Sequence, residues 1–200
     1  MWENLVITLM DKFMRFLIIA LLFLPLNSWA NFILQYGLNY SSQADGSSSG
    51  EFEENRIFHK GFIGASINGE RTLFFGWNIN SWTSSLSQGT ADADTYSMLE
   101  MGPRLQWFVN DNHNLYFTAE WNPYATGERD KTSTSKDITG SSIGFGFGYR
   151  FKINRVIGLG ASLNYHSLSI SEEKVGTTED TVSDSVTNMM PMLELTILTR

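Results

Sequence analysis

Seven ionisable side chains of both signs are spaced along this chain among aromatics and glycines: Lys60, Glu100, Arg104, Glu120, Arg150, Lys152 and Glu194. Around all but Lys60 the adjacent residues are mainly apolar or aromatic, so a period of two puts the ion on one face of a strand and its neighbours on the other. If such strands close into a barrel, the ions share a filled interior, where a charge must be paired and hydrogen-bonded. A structural salt-bridge network among Glu100, Arg104, Glu120, Arg150 and Glu194, with Lys60 on the same face, is the expected outcome. A gate or proton path built from the same groups is the alternative.

Other candidates for chemistry are few. His59, His113 and His166 are the three histidines, and His113 falls in a predicted turn where it is expected to be solvated. His166 and Ser167 are adjacent, so alternation sends them to opposite faces, whereas a nucleophile must lie within hydrogen-bond reach of its base. The acidic groups Asp92/Asp94 and Glu179/Asp180/Asp184 suggest a divalent cation, one that bridges lipopolysaccharide. Calcium takes roughly six to eight oxygen ligands in a set order, and that order is missing, so solvated loops are expected instead. The absence of cysteine removes thiol chemistry, disulfides and thiolate-bound metal. A net charge of -7 leaves no basic stripe for nucleic acid. No catalytic residue, cofactor or metal site is expected.

The elements that must position these residues are strands. Ile143, Phe145, Phe147, Tyr149 and Phe151 alternate with Gly144, Gly146, Gly148, Arg150 and Lys152. A glycine-rich face ending in cations suits a crowded, polar barrel interior, and the aromatic face suits lipid. A soluble lipocalin-like barrel is excluded, because that glycine and cation face cannot line an apolar calyx and Phe145 and Phe147 facing water would aggregate.

The same period recurs at about 32–40, 56–67, 72–82, 96–109, 115–124, 157–166 and 185–199, giving eight strands. Long polar segments at 41–54, 83–94, 125–137 and 171–184 follow the odd strands, and short turns follow the second, fourth and sixth. The two classes of connection belong at opposite rims of an up-and-down barrel. Asn68-Gly69 predicts a two-residue type I′ hairpin, and Pro103 a bulge or a loss of pairing. Tyr36, Tyr40, Trp77, Trp82, Trp107, Trp121, Tyr149 and Tyr165 fit interfacial girdles. An eight-stranded barrel has an interior that side chains fill, so no open pore is expected.

Residues 1–30 have a different character. Lys12 and Arg15 precede an apolar run from Phe16 to Leu26, too short for a spanning helix of roughly 20 residues. Ser28-Trp29-Ala30 then supplies the small residues of a signal-peptidase site. A signal peptide cleaved after Ala30 is expected, leaving residues 31–200 as the barrel domain.

That alternation, with segments such as Leu99-Glu100-Met101-Gly102-Pro103-Arg104 and Pro191-Met192-Leu193-Glu194-Leu195, makes residues 31–200 resemble the small eight-stranded outer-membrane barrels of the OmpA/OmpX/OmpW kind and the outer membrane β-barrel domain proteins. The resemblance implies an all-β, eight-stranded antiparallel up-and-down transmembrane barrel with a filled polar lumen, integral to the bacterial outer membrane and monomeric. It implies contact with outer-membrane lipid and lipopolysaccharide, and insertion by the barrel-insertion machinery. Barrels of this group usually end on an aromatic residue. Here the last residues are Leu198-Thr199-Arg200, so either Ile197 or Leu198 substitutes or the true C-terminus lies elsewhere.

The function expected is a structural or surface-interaction role, without catalysis, through four external loops whose partner no motif names. The alternative is a narrow loop-gated passage for a small solute. A third is lipid A modification, because His166-Ser167 and Glu194 invite comparison with outer-membrane lipid A deacylases, whose histidine-x-serine spacing this chain does not reproduce.

Overall fold

The computed structural model describes residues 31–45, 52–88, 94–131, 134–176 and 178–199. The expected signal peptide and its cleavage site lie outside the described residues. Eight strands follow one another: β1 (Phe32–Asp45), β2 (Phe52–Ser66), β3 (Leu73–Gln88), β4 (Asp94–Phe108), β5 (Leu115–Lys131), β6 (Thr134–Lys152), β7 (Ile157–Val175) and β8 (Thr178–Leu198). Each pairs antiparallel with the next, and β8 returns to β1, so the sheet is a closed up-and-down barrel.

The strands are 14 to 21 residues long, whereas roughly 9–11 suffice to cross a bilayer. The surplus comes from segments whose polarity suggests loops. Most of 83–94, 125–137 and 171–184 is strand, a correction to the long-loop expectation. In these segments and the residues that flank them the outward side chains are largely Ser, Thr and charged, while Tyr96, Ile138, Leu168, Ile170 and Val182 turn inward. Alternation of that kind is what a strand with one solvated face requires.

The exterior is therefore divided at a sharp level. Going toward the hairpin tips, the outward apolar residues stop at Ile79, Leu99, Tyr124, Ile143, Tyr165 and Met189 in β3 to β8. The next outward positions are Ser81, Ser97, Thr126, Ser141, Ser167 and Thr187. Below this line the outer face is apolar and half-exposed, with Phe75, Trp107, Phe117, Phe145 and Leu195 representative. Above it the arrangement inverts, and the inner face is the apolar one.

The short turns share one construction. Ile67 N–H donates to the Leu73 carbonyl, and the Asn68 side chain accepts from the N–H groups of Thr72 and Leu73. Val109 and Leu115 are paired likewise, with the Asn110 side chain accepting from Asn114 N–H. Asn154 caps Val156 and Ile157 in the third turn. The type I′ expectation at Asn68-Gly69 is corrected: the left-handed residue is Arg71, at φ 61°, and His113 holds the equivalent place at φ 53°. The asparagine side chain satisfies the turn's backbone donors, so a longer loop is stable without positive φ at Gly69.

Pro103 does lie at an irregularity of the β4–β5 register, between Met101 and Arg104, but it pairs normally with Trp77 of β3. The surplus residue belongs to β5, beside Pro123: the β5–β6 register also skips between Asn122 and Ala125. A bulge there flips the parity of β5 and turns Ala125 inward.

Candidate functional site

The lumen is filled in layers. At the end with the short turns, Ile33, Phe62, Phe74, Phe108, Tyr116 and Leu198 form an apolar floor. A polar layer follows. Above it Phe58, Trp82, Met98, Ile138, Leu168, Ile170, Met190 and Met192 form an apolar ceiling. The β6 glycines make the polar layer possible. A Cβ on Gly144 would lie 2.6 Å from Glu120 Oε1, and one on Gly146 would lie 2.5 Å from Asn164 Oδ1. At Gly148 it would strike the Tyr116 hydroxyl.

Lys60, Glu100, Arg104, Glu120, Arg150 and Glu194 are all buried on the inner face. Lys60 Nζ stands 2.7 Å from Glu120 Oε2 and donates to Asn164 Oδ1 at 3.1 Å. Glu100 accepts from Trp82 Nε1 at 2.7 Å, Ser142 Oγ at 2.6 Å and His166 Nε2 at 2.8 Å. Glu194 accepts from Gln35 Nε2 and Ser162 Oγ, each at 2.6 Å, and from the Tyr116 hydroxyl. Arg104 donates to Gln35 and Gln106, both at 2.9 Å, and lies over the Phe62 ring. Arg150 lies toward the turn-side rim and donates to the Val156 carbonyl. Lys152 is exposed at the same rim.

The layer is thus tied together mainly by neutral donors and acceptors set between the charges. Amides and hydroxyls fit because each buried carboxylate has several lone-pair sites, more than one cation can occupy. Gln35, Ser142, Ser162, Asn164 and His166 are the members that charge alone did not reveal. All have the inward parity of their strands, which is the signal that identifies them.

Trp82 corrects the aromatic girdle: it is 1% exposed and points into the ceiling, stacked on Phe58. His113 is not solvated. It is buried, with Nδ1 2.7 Å from the Asp111 carbonyl and Nε2 2.6 Å from the Arg71 carbonyl, and packs on Phe108. Its ring fastens two neighbouring turns together. His59 is exposed beside the Tyr36 hydroxyl. His166 faces inward on Glu100, while Ser167, on the outer face, meets Thr187.

Of the acids considered for a cation, Asp92 and the Glu179 side chain lie outside the described residues. Asp94 and Asp184 do converge at the mouth above the ceiling, on Arg129, which also contacts Glu173 at 3.1 Å and covers the Tyr96 ring. Lys136 reaches Glu173 at 2.6 Å. The hydrogen bond from Lys136, working against the cost of burial and aided by Arg129, holds the Glu173 carboxyl below the ordinary glutamate range. A guanidinium occupies the centre of this acidic group.

A closed eight-stranded barrel that is apolar outside and polar inside over one band is a transmembrane β-barrel of the outer-membrane type, since closure leaves no unpaired sheet edge for lipid to solvate. The fold is similar to that of Neisserial surface protein A (13% identity, covering 84% of this chain and 96% of that one, TM-score 0.44). It is also similar to the translocator domain of the autotransporter NalP from Neisseria meningitidis (10% identity, 98% and 71%, TM-score 0.43). The beta domain of the Bordetella autotransporter BrkA is a third such structure (11% identity, 82% and 67%, TM-score 0.43). No protein-family model and no curated protein matches the chain.

Proposed function

We propose that the protein is an integral barrel of the bacterial outer membrane with a structural or surface-interaction role, exerted from the strand-built rim above the apolar band and from the hairpin tips. The observation that carries this is the filling of the lumen: apolar floor, polar layer and apolar ceiling succeed one another, and an ion would have to displace all three. The inverted upper half carries the described strand ends beyond the apolar band, where an external partner can reach them. Contact with lipopolysaccharide at the Ser/Thr collar, delivery by the barrel-insertion machinery and a monomeric state belong to the same proposal.

Reconstitution in planar bilayers tests it. The barrel should insert without stepwise conductance, and shortening the hairpin tips should abolish whole-cell binding while leaving heat-modifiable mobility intact. Regular conductance steps in the native chain would instead support the gated passage. For lipid A modification, Ser167 and His166 lie on opposite sides of the wall, and release of acyl chains from lipid A by the refolded barrel would overturn the non-catalytic proposal.

A further inference from the structure

Among the described residues, His59 is the single Asp, Glu, Lys, Arg or His whose side chain faces outward inside the apolar band. It pairs with Leu38 of β1 on one side and with Ser81 of β3 on the other. Ser81 is the first outward polar residue above Ile79, so the imidazole stands where the outer face changes character. It interrupts the apolar column of β2 and does not begin the polar collar, because Ile57, the next outward residue toward the tips, is apolar again. An ionisable side chain on a wall that faces lipid is costly, and such residues mark functional sites.

The imidazole is held by Tyr36. Its Nδ1 lies 2.6 Å from the Tyr36 hydroxyl, the ring centroids are 6.1 Å apart, and both side chains are exposed on the outer face. In either neutral tautomer the pair keeps one donor free: where Tyr36 donates to Nδ1 the ring proton is on Nε2, and where Nδ1–H donates the Tyr36 O–H is left over. What the pair offers to the lipid side is therefore a hydrogen-bond donor. Below it the wall is notched. Gly61, the next outward residue of β2 toward the turns, lies between Tyr36 of β1 and Ile79 of β3. A Cβ there would meet nothing nearer than the Ile79 carbonyl oxygen at 3.7 Å, so the floor of the notch is bare backbone. Tyr36 and Ile79 form its sides, and Ile63 lies at its lower end.

We propose that His59, Tyr36 and Gly61 form an outward-facing site for one acyl lipid, recognised by the carbonyl oxygen that joins a chain to its headgroup. The carbonyl accepts from the His59–Tyr36 pair, and the first methylenes of the chain settle in the notch over Gly61 and run on past Ile63. Chemistry and level agree. A carbonyl has lone pairs and no proton to give, and it lies where hydrocarbon meets headgroup, which is the level of Ser81. The phosphate oxygens of such a lipid lie farther out, at the level of Ile57 and Thr83, where β2 presents no side-chain donor. The proposal rests on the membrane placement given above.

The test uses the full chain in nanodiscs of equimolar diphytanoyl phosphatidylcholine and its diphytanyl ether analogue, two lipids with one headgroup and one chain pattern, of which only the first has carbonyls. Lipid retained after release into detergent is read by native mass spectrometry. The ester should be retained about fivefold over the ether, the weight of one neutral hydrogen bond. The preference should vanish in His59→Phe, and retention of both lipids should fall in Gly61→Val, which fills the notch. Both changes lie on the outer face, so heat-modifiable mobility should stay that of the native chain, and the comparison of the two lipids on the native chain needs no variant to fold. Equal retention of both lipids by the native chain overturns the proposal, as does an unchanged preference in His59→Phe or a dimer in place of the lipid adduct. Chain that inserts normally and shows no preference contradicts the lipid site alone, whereas chain that fails to enter nanodiscs contradicts the membrane placement and the site with it.

Discussion

The indole N–H of Trp82 donates to the Glu100 carboxylate at 2.7 Å, and this bond joins the apolar ceiling of the lumen to the polar layer beneath it. His166 completes the junction, bonded to the same carboxylate and set edge-on to both Phe58 and Trp82. The barrel is consequently two structures in one wall. Its lower part has the polarity of a membrane protein, and its upper part has that of a soluble one.

The Lys60–Glu120 pair should behave as a buried ion pair whose members depend on each other. Lys60→Met removes the ion-pair partner of Glu120, leaving it the Asn80 amide at 3.2 Å, and should cost about 3–5 kcal/mol. Adding Glu120→Leu should recover most of that loss, because an apolar pair of similar volume is often as stable as a buried ionic one. Urea unfolding from detergent micelles, run as a double-mutant cycle, gives the answer. Additive losses would mean that the two side chains do not act together.

The upper half should unfold as a packed core does. Leu168→Ala removes a fully buried ceiling residue and should cost about 2–5 kcal/mol, while the outward neighbour Ser169→Ala should stay within about 0.5 kcal/mol. Equal, negligible effects in the same unfolding assay would show that the region above the band carries no core.

Much of this architecture is legible in the chain, and the exceptions have physical causes. Where Phe145, Phe147 and Tyr149 alternate with glycines, both faces are extreme and the strand is plain. The upper strands resemble loops in the sequence because Ser and Thr outside and an isolated apolar residue such as Val182 inside leave a composition almost as polar as a true loop. Trp82 fits an interfacial girdle by its place near a strand end, although it shares the inward parity of Asn78 and Asn80. Alternation identifies the charged members of the lumen. It does not identify their partners, because hydrogen bonds such as that from Gln35 Nε2 to Glu194 join residues 159 positions apart.

Acid should loosen the rim before the rest of the barrel. The Glu173 carboxyl titrates below its ordinary range because Lys136 and Arg129 hold its charged form. A depressed folded-state value means the contribution is complete above the unfolded-state value, roughly pH 4, and is lost as pH falls through the folded one. Hydrogen exchange should therefore rise at the mouth-side ends of β6 and β7 below that pH, with the ladder around Glu120 still protected. In Glu173→Gln the mouth should exchange fast at neutral pH and change little on acidification. A wild-type rim indifferent to acid would contradict the role given to this carboxylate.

The division of one strand face between lipid and water is the claim on which the rest depends, and β6 tests it directly because five outward positions, 139, 141, 143, 145 and 147, cross the line in order. With no native cysteine, a single spin label at each can be challenged in bilayers with a water-soluble nickel chelate and with lipid-soluble oxygen. Labels at 139 and 141 should be reached by the chelate and those at 143, 145 and 147 by oxygen, with the switch between Ser141 and Ile143. If the chelate reaches 145 and 147 as readily as 139, the apolar band does not face hydrocarbon and the membrane assignment is wrong.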